Sequence, residues 1–167
     1  IYNKSKIGNE ESWKITKKCV TDIDNGFAKH WFNNVATAAA METKEGHAGN
    51  ENNILGGIIQ SSIYSPRGKN YTIAQLQQVK TLMGKIGAAQ YADGVTWEFE
   101  VAANIREGKP ANALAVGSKM AKTYATNGAA LIYIARVFND QYPDASYGTT
   151  ARGWLTSAKT KLTEAKD

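Results

Sequence analysis

Arg67 and Lys69 bracket a glycine in the turn Ser65-Pro66-Arg67-Gly68, and Asn70 and Tyr71 follow directly. Two cations in a turn beside an amide and a phenol are the groups that grip a phosphate backbone, and Tyr71 or Tyr64 is a ring on which an unpaired base would stack. Lys80 and Lys85 extend the same stretch, which has no acidic residue between Glu51 and Asp93. A second acid-free stretch runs from Glu107 to Asp140 and holds Lys109, Lys119, Lys122 and Arg136. Lys119 and Lys122 are three residues apart, so a helix places them on one face. Arg136 interrupts an apolar run, so it either emerges at the edge of the core or pairs with a carboxylate there. A phosphate-binding face needs cations without interspersed acids, because nearby carboxylates cancel the attracting potential. Arg67, Lys69, Tyr71, Lys80, Lys85, Lys119, Lys122 and Arg136 are therefore the candidate nucleic-acid-binding residues. The plain alternative is a solvated basic face that keeps the chain soluble.

Other chemistries find less purchase. The two histidines, His30 and His47, are not one helical turn apart, and no His-Glu-x-x-His or Cys-x-x-Cys occurs, so no metal site is expected. His30 sits among Lys29, Trp31 and Phe32 and reads as a packed side chain. His47 lies in a glycine-rich loop and is either a general base or a solvated loop residue. Cys19 follows Lys17 and Lys18, which would lower its pKa, but a free cysteine is more often simply buried. There is no Gly-x-Ser-x-Gly, P-loop or Gly-x-Gly-x-x-Gly, and no cofactor is expected. Glu98 with Glu100, or Glu42 with Glu45, would serve glycoside hydrolysis if a cleft held the two carboxyls roughly 5 to 9.5 Å apart.

The elements that carry these residues read as helices. Asn9 caps a first helix with Glu10 and Glu11 in its first turn, and Trp13, Thr16, Val20, Ile23 and Phe27 form its apolar stripe. Asn25-Gly26 interrupts it. A second helix runs from Ala28 to about Glu42, and residues 43–53 read as loop. Residues 54–64 form a short buried helix. Thr72 and Gln75 have capping-box spacing ahead of Ile73, Leu76, Val79, Met83 and Ile86. The helix fades over Gly87 to Gly94. Residues 95–101 alternate like a strand, but no second strand exists to pair with, so helix is favoured. Pro110 precedes a helix from Ala111 to Thr126, with Leu114, Gly117, Met120, Ala121 and Tyr124 inward and Asn127-Gly128 as its C-cap. Ala129 to Phe138 is apolar almost all round, as in a central buried helix. The last helix runs from Thr149 to Ala165, with a stripe of Trp154, Leu155, Ala158, Leu162 and Ala165, and with Lys166 off it. The prolines Pro66, Pro110 and Pro143 mark breaks.

Six to eight helices with short connections make an all-α, single-domain bundle over residues 1–167. Composition agrees: 167 residues are 43% hydrophobic and 21% charged, with a mean hydropathy of -0.42 and net charge +5. That excludes a mainly disordered chain, and no apolar run is long enough to span a membrane. One cysteine excludes an internal disulfide framework and favours a reducing, cytoplasmic setting. The chain begins with Ile1, which predicts a trimmed N-terminus and is compatible with a removed signal peptide.

The run Met120-Ala121-Lys122-Thr123-Tyr124-Ala125-Thr126-Asn127-Gly128, then the apolar helix Ala129 to Phe138, then Trp154-Leu155, resembles the small helical subunit of type III CRISPR effector complexes. The resemblance implies a non-catalytic subunit lining a guide–target duplex along its backbone. Helical nucleocapsid proteins of filamentous viruses share the same broad features. The expected function is a non-enzymatic subunit that binds RNA or single-stranded nucleic acid within a larger assembly of protein subunits. Two alternatives remain: a helical glycan hydrolase with a Glu acid, and a protein-binding immunity or adaptor module marked by a large exposed apolar patch.

Overall fold

Asn9 opens the first helix. Its side chain accepts from the Ser12 amide at 2.9 Å, Glu10 and Glu11 face the positive helix end, and Lys17 and Lys18 the negative one. In the computed structural model, which describes residues 7–142 and 145–164, this helix is α1, Glu10–Cys19. The readings that touch Ile1, Pro143, Ala165 and Lys166 fall outside the described residues. Every regular element among the described residues is helical: α2 Gly26–Asn33, α3 Val35–Lys44, α4 Asn50–Ile63, α5 Ile73–Lys85, α6 Ala92–Arg106, α7 Pro110–Thr123, α8 Gly128–Gln141 and α9 Gly148–Glu164. The all-α expectation holds, with nine helices among the described residues rather than six to eight. No helix there is long and apolar enough to cross a membrane.

The chain gathers into two compact units, Ile1–Asp93 and Gly94–Asp167. In the first, Trp13 of α1 meets Trp31 of α2 edge-on at 5.0 Å, and Phe32, Leu55, Ile63 and Leu76 complete the core. α1 stops at Cys19, so Val20 and Ile23 are buried without being helical. The Asp22 carboxylate accepts from the Asp24 amide at 2.8 Å and the Asp22 carbonyl from the Asn25 amide at 3.1 Å. Such local bonds offer the backbone an alternative to the helix. Asn25 then caps α2.

The single helix expected from Ala28 to Glu42 is two. At Asn34 the side-chain amide donates to the His30 carbonyl at 2.8 Å, taking the place the backbone amide would fill in a continuing helix. The loop expected over 43–53 shrinks to the residues between Lys44 and Asn50, turned by Gly46 and Gly49 at φ 82° and 87°. The capping box at Thr72 forms in both directions.

Residues 95–101 are helical, within α6, as favoured. In the second unit Trp97, Val101, Met120, Leu131, Ile134, Phe138 and Trp154 form the core. Pro110 sits at the first turn of α7, where its missing N–H costs no bond. Asn127-Gly128 is not a C-cap. Asn127 is extended, at φ -108°, and its side chain accepts from the Ala130 amide at 3.0 Å, so it starts α8. Gly128 is buried because a Cβ there would lie 2.9 Å from the Ala158 carbonyl and 2.8 Å from Leu162. Phe138, near the other end of α8, packs edge-on against Trp154, so α8 and α9 are antiparallel. α8 is not buried all round, since Ile132, Tyr133 and Arg136 are exposed. Tyr124, Leu155 and Leu162, expected inward, are exposed as well.

Candidate functional site

Arg67 reaches the solvent at the start of a 3-10 turn, Gly68–Asn70, but its guanidinium is engaged. It donates to Asp22 at 2.7 Å and to Asp24, and Asp24 also takes Lys29 at 3.0 Å. Asp22 first, then Asp24, hold the Arg67 pKa above its usual value, and Lys29 with Arg67 holds the Asp24 carboxyl below its own. Tyr71 lies beneath, 2% exposed, with its hydroxyl 2.7 Å from the Ser62 hydroxyl and the Arg67 guanidinium 5.9 Å from its ring centre. The ring expected to stack on a base is therefore part of the core. Lys80 donates to Asp93 at 2.6 Å, and Lys85 to the Asn33 side chain at 2.5 Å. Lys69 is exposed. The stretch between Glu51 and Asp93 is free of acids along the chain but not in space, because Asp22, Asp24 and Asp93 fold against it.

The second unit is different. Lys119 and Lys122 are both exposed on α7, Arg136 on α8, and Arg152 and Lys159 on α9. Six basic residues lie between Pro110 and Thr163, and Asp140 is the only acid among the described residues of that span. Lys122, Arg136, Arg152 and Lys159 pair with no carboxylate among the described residues. Lys122 also borders a crevice of about 210 Å³ between α7 and α9, together with Ser118 and Ser157, and the buried Trp154 is part of its lining. A lysine and two hydroxyls at one crevice suit a phosphate or a carboxylate.

Among the described residues Glu42 is the most enclosed acid, its side chain 0% exposed. It accepts from the Trp13 indole at 2.7 Å, from Lys17 at 2.7 Å and from Asn50 at 2.8 Å. Burial pushes its carboxyl up, but the donors Lys17, Asn50 and Trp13 outweigh it and hold the pKa at about 2. Lys17 also meets Glu45 at 2.7 Å, and its own pKa rises on account of Glu42 and then Glu45. His47 completes a cluster whose ligand atoms lie within 4.8 Å of one another. The spacing 42, 45, 47 matches no metal signature, and the cluster closes only where α3 ends and the chain turns. Lys17 already occupies the cation position between the two carboxylates, so the group works as a tie between α1, α3 and α4. A carboxyl near 2 is also the reverse of the raised pKa a glycosidase acid needs. Glu98 takes the Tyr133 hydroxyl at 2.8 Å and Glu100 the Thr96 hydroxyl at 2.5 Å. Two residues apart on α6, they face away from each other and do not flank a common bond.

No protein-family model, curated protein or solved structure matches this chain.

Proposed function

We propose that the chain is a non-catalytic, all-α subunit that binds RNA or single-stranded nucleic acid through its phosphates, inside a larger assembly. The observation that carries the reading is the contrast in how the two units use their cations. In the first unit Lys17, Lys29, Lys44, Arg67 and Lys80 are held by acids of the same unit. Between Pro110 and Thr163 the exposed Lys122, Arg136, Arg152 and Lys159 pair with no carboxylate among the described residues, and Asp140 is the one described acid of that span. An ion pair cancels much of the potential that attracts phosphate, and a cation with no carboxylate beside it keeps it. Lys119 and Lys122 are assigned the backbone contact, with the Lys122 crevice taking a phosphate. Arg67, Lys80 and Tyr71 drop from the contact set, while Lys69, Lys85 and Arg136 lie outside its centre. The reading agrees with what the resemblance of residues 120–155 implies, a subunit lining a nucleic-acid strand. Cys19, expected to be buried, is instead exposed at the end of α1, and a cytoplasmic setting keeps such a thiol reduced.

The test is a salt titration of binding to a fluorescent single-stranded RNA. Each phosphate contact contributes about 0.7 to the slope of log affinity against log salt. Replacing Lys119 and Lys122 by glutamine should lower that slope by about 1.4 and weaken binding throughout. An unchanged slope, or no binding even at low salt, would overturn the proposal.

A further inference from the structure

Leu155 and Leu162 of α9 are 45% and 41% exposed, and Ile132 of α8 is 37% exposed. The three are walls of one groove of about 420 Å³, with Ala158 on its floor and Lys159 and Thr163 at its edge. Leu155 and Leu162 are seven residues apart on α9, so two turns, about 10 Å, separate them. That is the repeat at which an amphipathic helix presents its own apolar anchors when it lies in a groove. The rim is cationic. Arg136 stands one turn after Ile132, Arg152 three residues before Leu155, and Lys159 one turn after it, all exposed. Among the described acids, Asp140 stands one turn past Arg136 on α8, and Glu98 is taken up by the Tyr133 hydroxyl at 2.8 Å.

We infer that this groove docks an amphipathic helix of a partner protein whose flanks carry Asp and Glu. The apolar walls set the spacing of the anchors and the rim cations set the sign of the flanks. A nucleic-acid strand gains nothing from aliphatic walls that offer no ring face. A second copy of the chain brings the same net charge of +5, which opposes self-pairing at a basic rim. The groove walls are distinct from Lys119 and Lys122, which are on α7, while its rim cations Arg136, Arg152 and Lys159 belong to the row that the RNA reading invokes.

The experiment uses the full chain and a labelled synthetic helix with leucines at positions i, i+4 and i+7 and glutamates on both flanks, followed by fluorescence anisotropy. The acidic helix should bind, and its counterpart with lysines in place of the glutamates should not. Leu155→Asn with Leu162→Asn should weaken binding by about tenfold or more, with the circular dichroism spectrum and RNA affinity unchanged. Lys159→Glu with Arg152→Glu should weaken the acidic helix and restore binding to the lysine-flanked one. Absence of binding, equal binding of both peptides, or indifference to the groove substitutions would overturn the inference. So would a dimer in sedimentation velocity that the leucine substitutions abolish, which would give the groove to a second copy. Loss of RNA affinity on the same substitutions would give it to nucleic acid instead.

Discussion

Trp13 donates its indole N–H to Glu42 at 2.7 Å, joining α1 to α3 across 29 residues of sequence inside the first unit. The same carboxylate receives Lys17 and Asn50, so three donors converge on one buried charge. Glu42→Gln keeps an oxygen for Trp13 but turns an N–H₂ group toward donors and leaves Lys17 with Glu45 alone. It should cost about 2–4 kcal/mol in urea unfolding. Glu45→Gln, at the exposed end of the same tie, should cost no more than about 1 kcal/mol.

The acid side of the stability curve follows from the same residue. The Glu42 carboxyl has an ordinary value of 4.5 and is held at about 2 in the folded chain. Between those values the unfolded chain takes up a proton that the folded chain refuses, so stability falls as pH falls. The contribution, about 3 kcal/mol, is complete above roughly pH 5 and gone below roughly pH 2. Lys17 adds a limb of opposite sign. Its raised pKa stabilises the fold below its ordinary 10.5 and loses that effect as pH climbs through the folded value. Unfolding of Glu42→Gln should show a flatter acid limb, and an unchanged limb would remove Glu42 as its source.

Two glycines should respond in opposite senses to alanine. At Gly68 a Cβ would lie 2.1 Å from the Ser62 carbonyl oxygen and 2.3 Å from that of Ile63. Both are backbone atoms of α4 that cannot step aside, so Gly68→Ala should cost about 3 kcal/mol or more and loosen the Arg67–Tyr71 corner. At Gly57, inside α4, a Cβ meets nothing within 4 Å. Gly57→Ala should stabilise by about 0.5–1 kcal/mol through helix propensity. Paired thermal melts read both.

Arg67 separates a clamp from a ligand contact. Its bonds to Asp22 and Asp24 pin the 20–25 loop to the turn after α4. Arg67→Gln should lower stability by about 1 kcal/mol or less, and leave the salt slope of RNA binding where it was. A slope lower by about 0.7 would return Arg67 to the contact set.

Caps and periodicity made much of the fold readable in advance. Asn9, Thr72 and Pro110 each marked a helix start through a local rule, and the absence of a partner strand decided residues 95–101. What failed depended on contacts distant in sequence or on a choice between two local bonds. Asn34 broke a helix because its amide reached His30, which composition does not announce. Asn127-Gly128 suits either end of a helix, and the antiparallel approach of α9 at Gly128 favoured the start of α8. The boundary of the two units falls in the first turn of α6, where no proline or linker composition marks it. The basic residues were found, but their usefulness was not legible. Asp22 and Asp24 lie more than 40 residues before Arg67 along the chain, so spacing alone could not show that they cancel it. Leu155 and Leu162 matched a core stripe because periodicity reports a face of a helix without saying whether anything covers it.

Each unit also contains its own pair of indoles, Trp13 and Trp31 in the first and Trp97 and Trp154 in the second, all of them buried. Intrinsic emission is thus divided evenly by residue between the halves of the chain. Replacing one pair by phenylalanine leaves indole emission that belongs to the other half alone. Two such variants, melted side by side, give an optical record of whether the halves lose structure in one cooperative step or in succession.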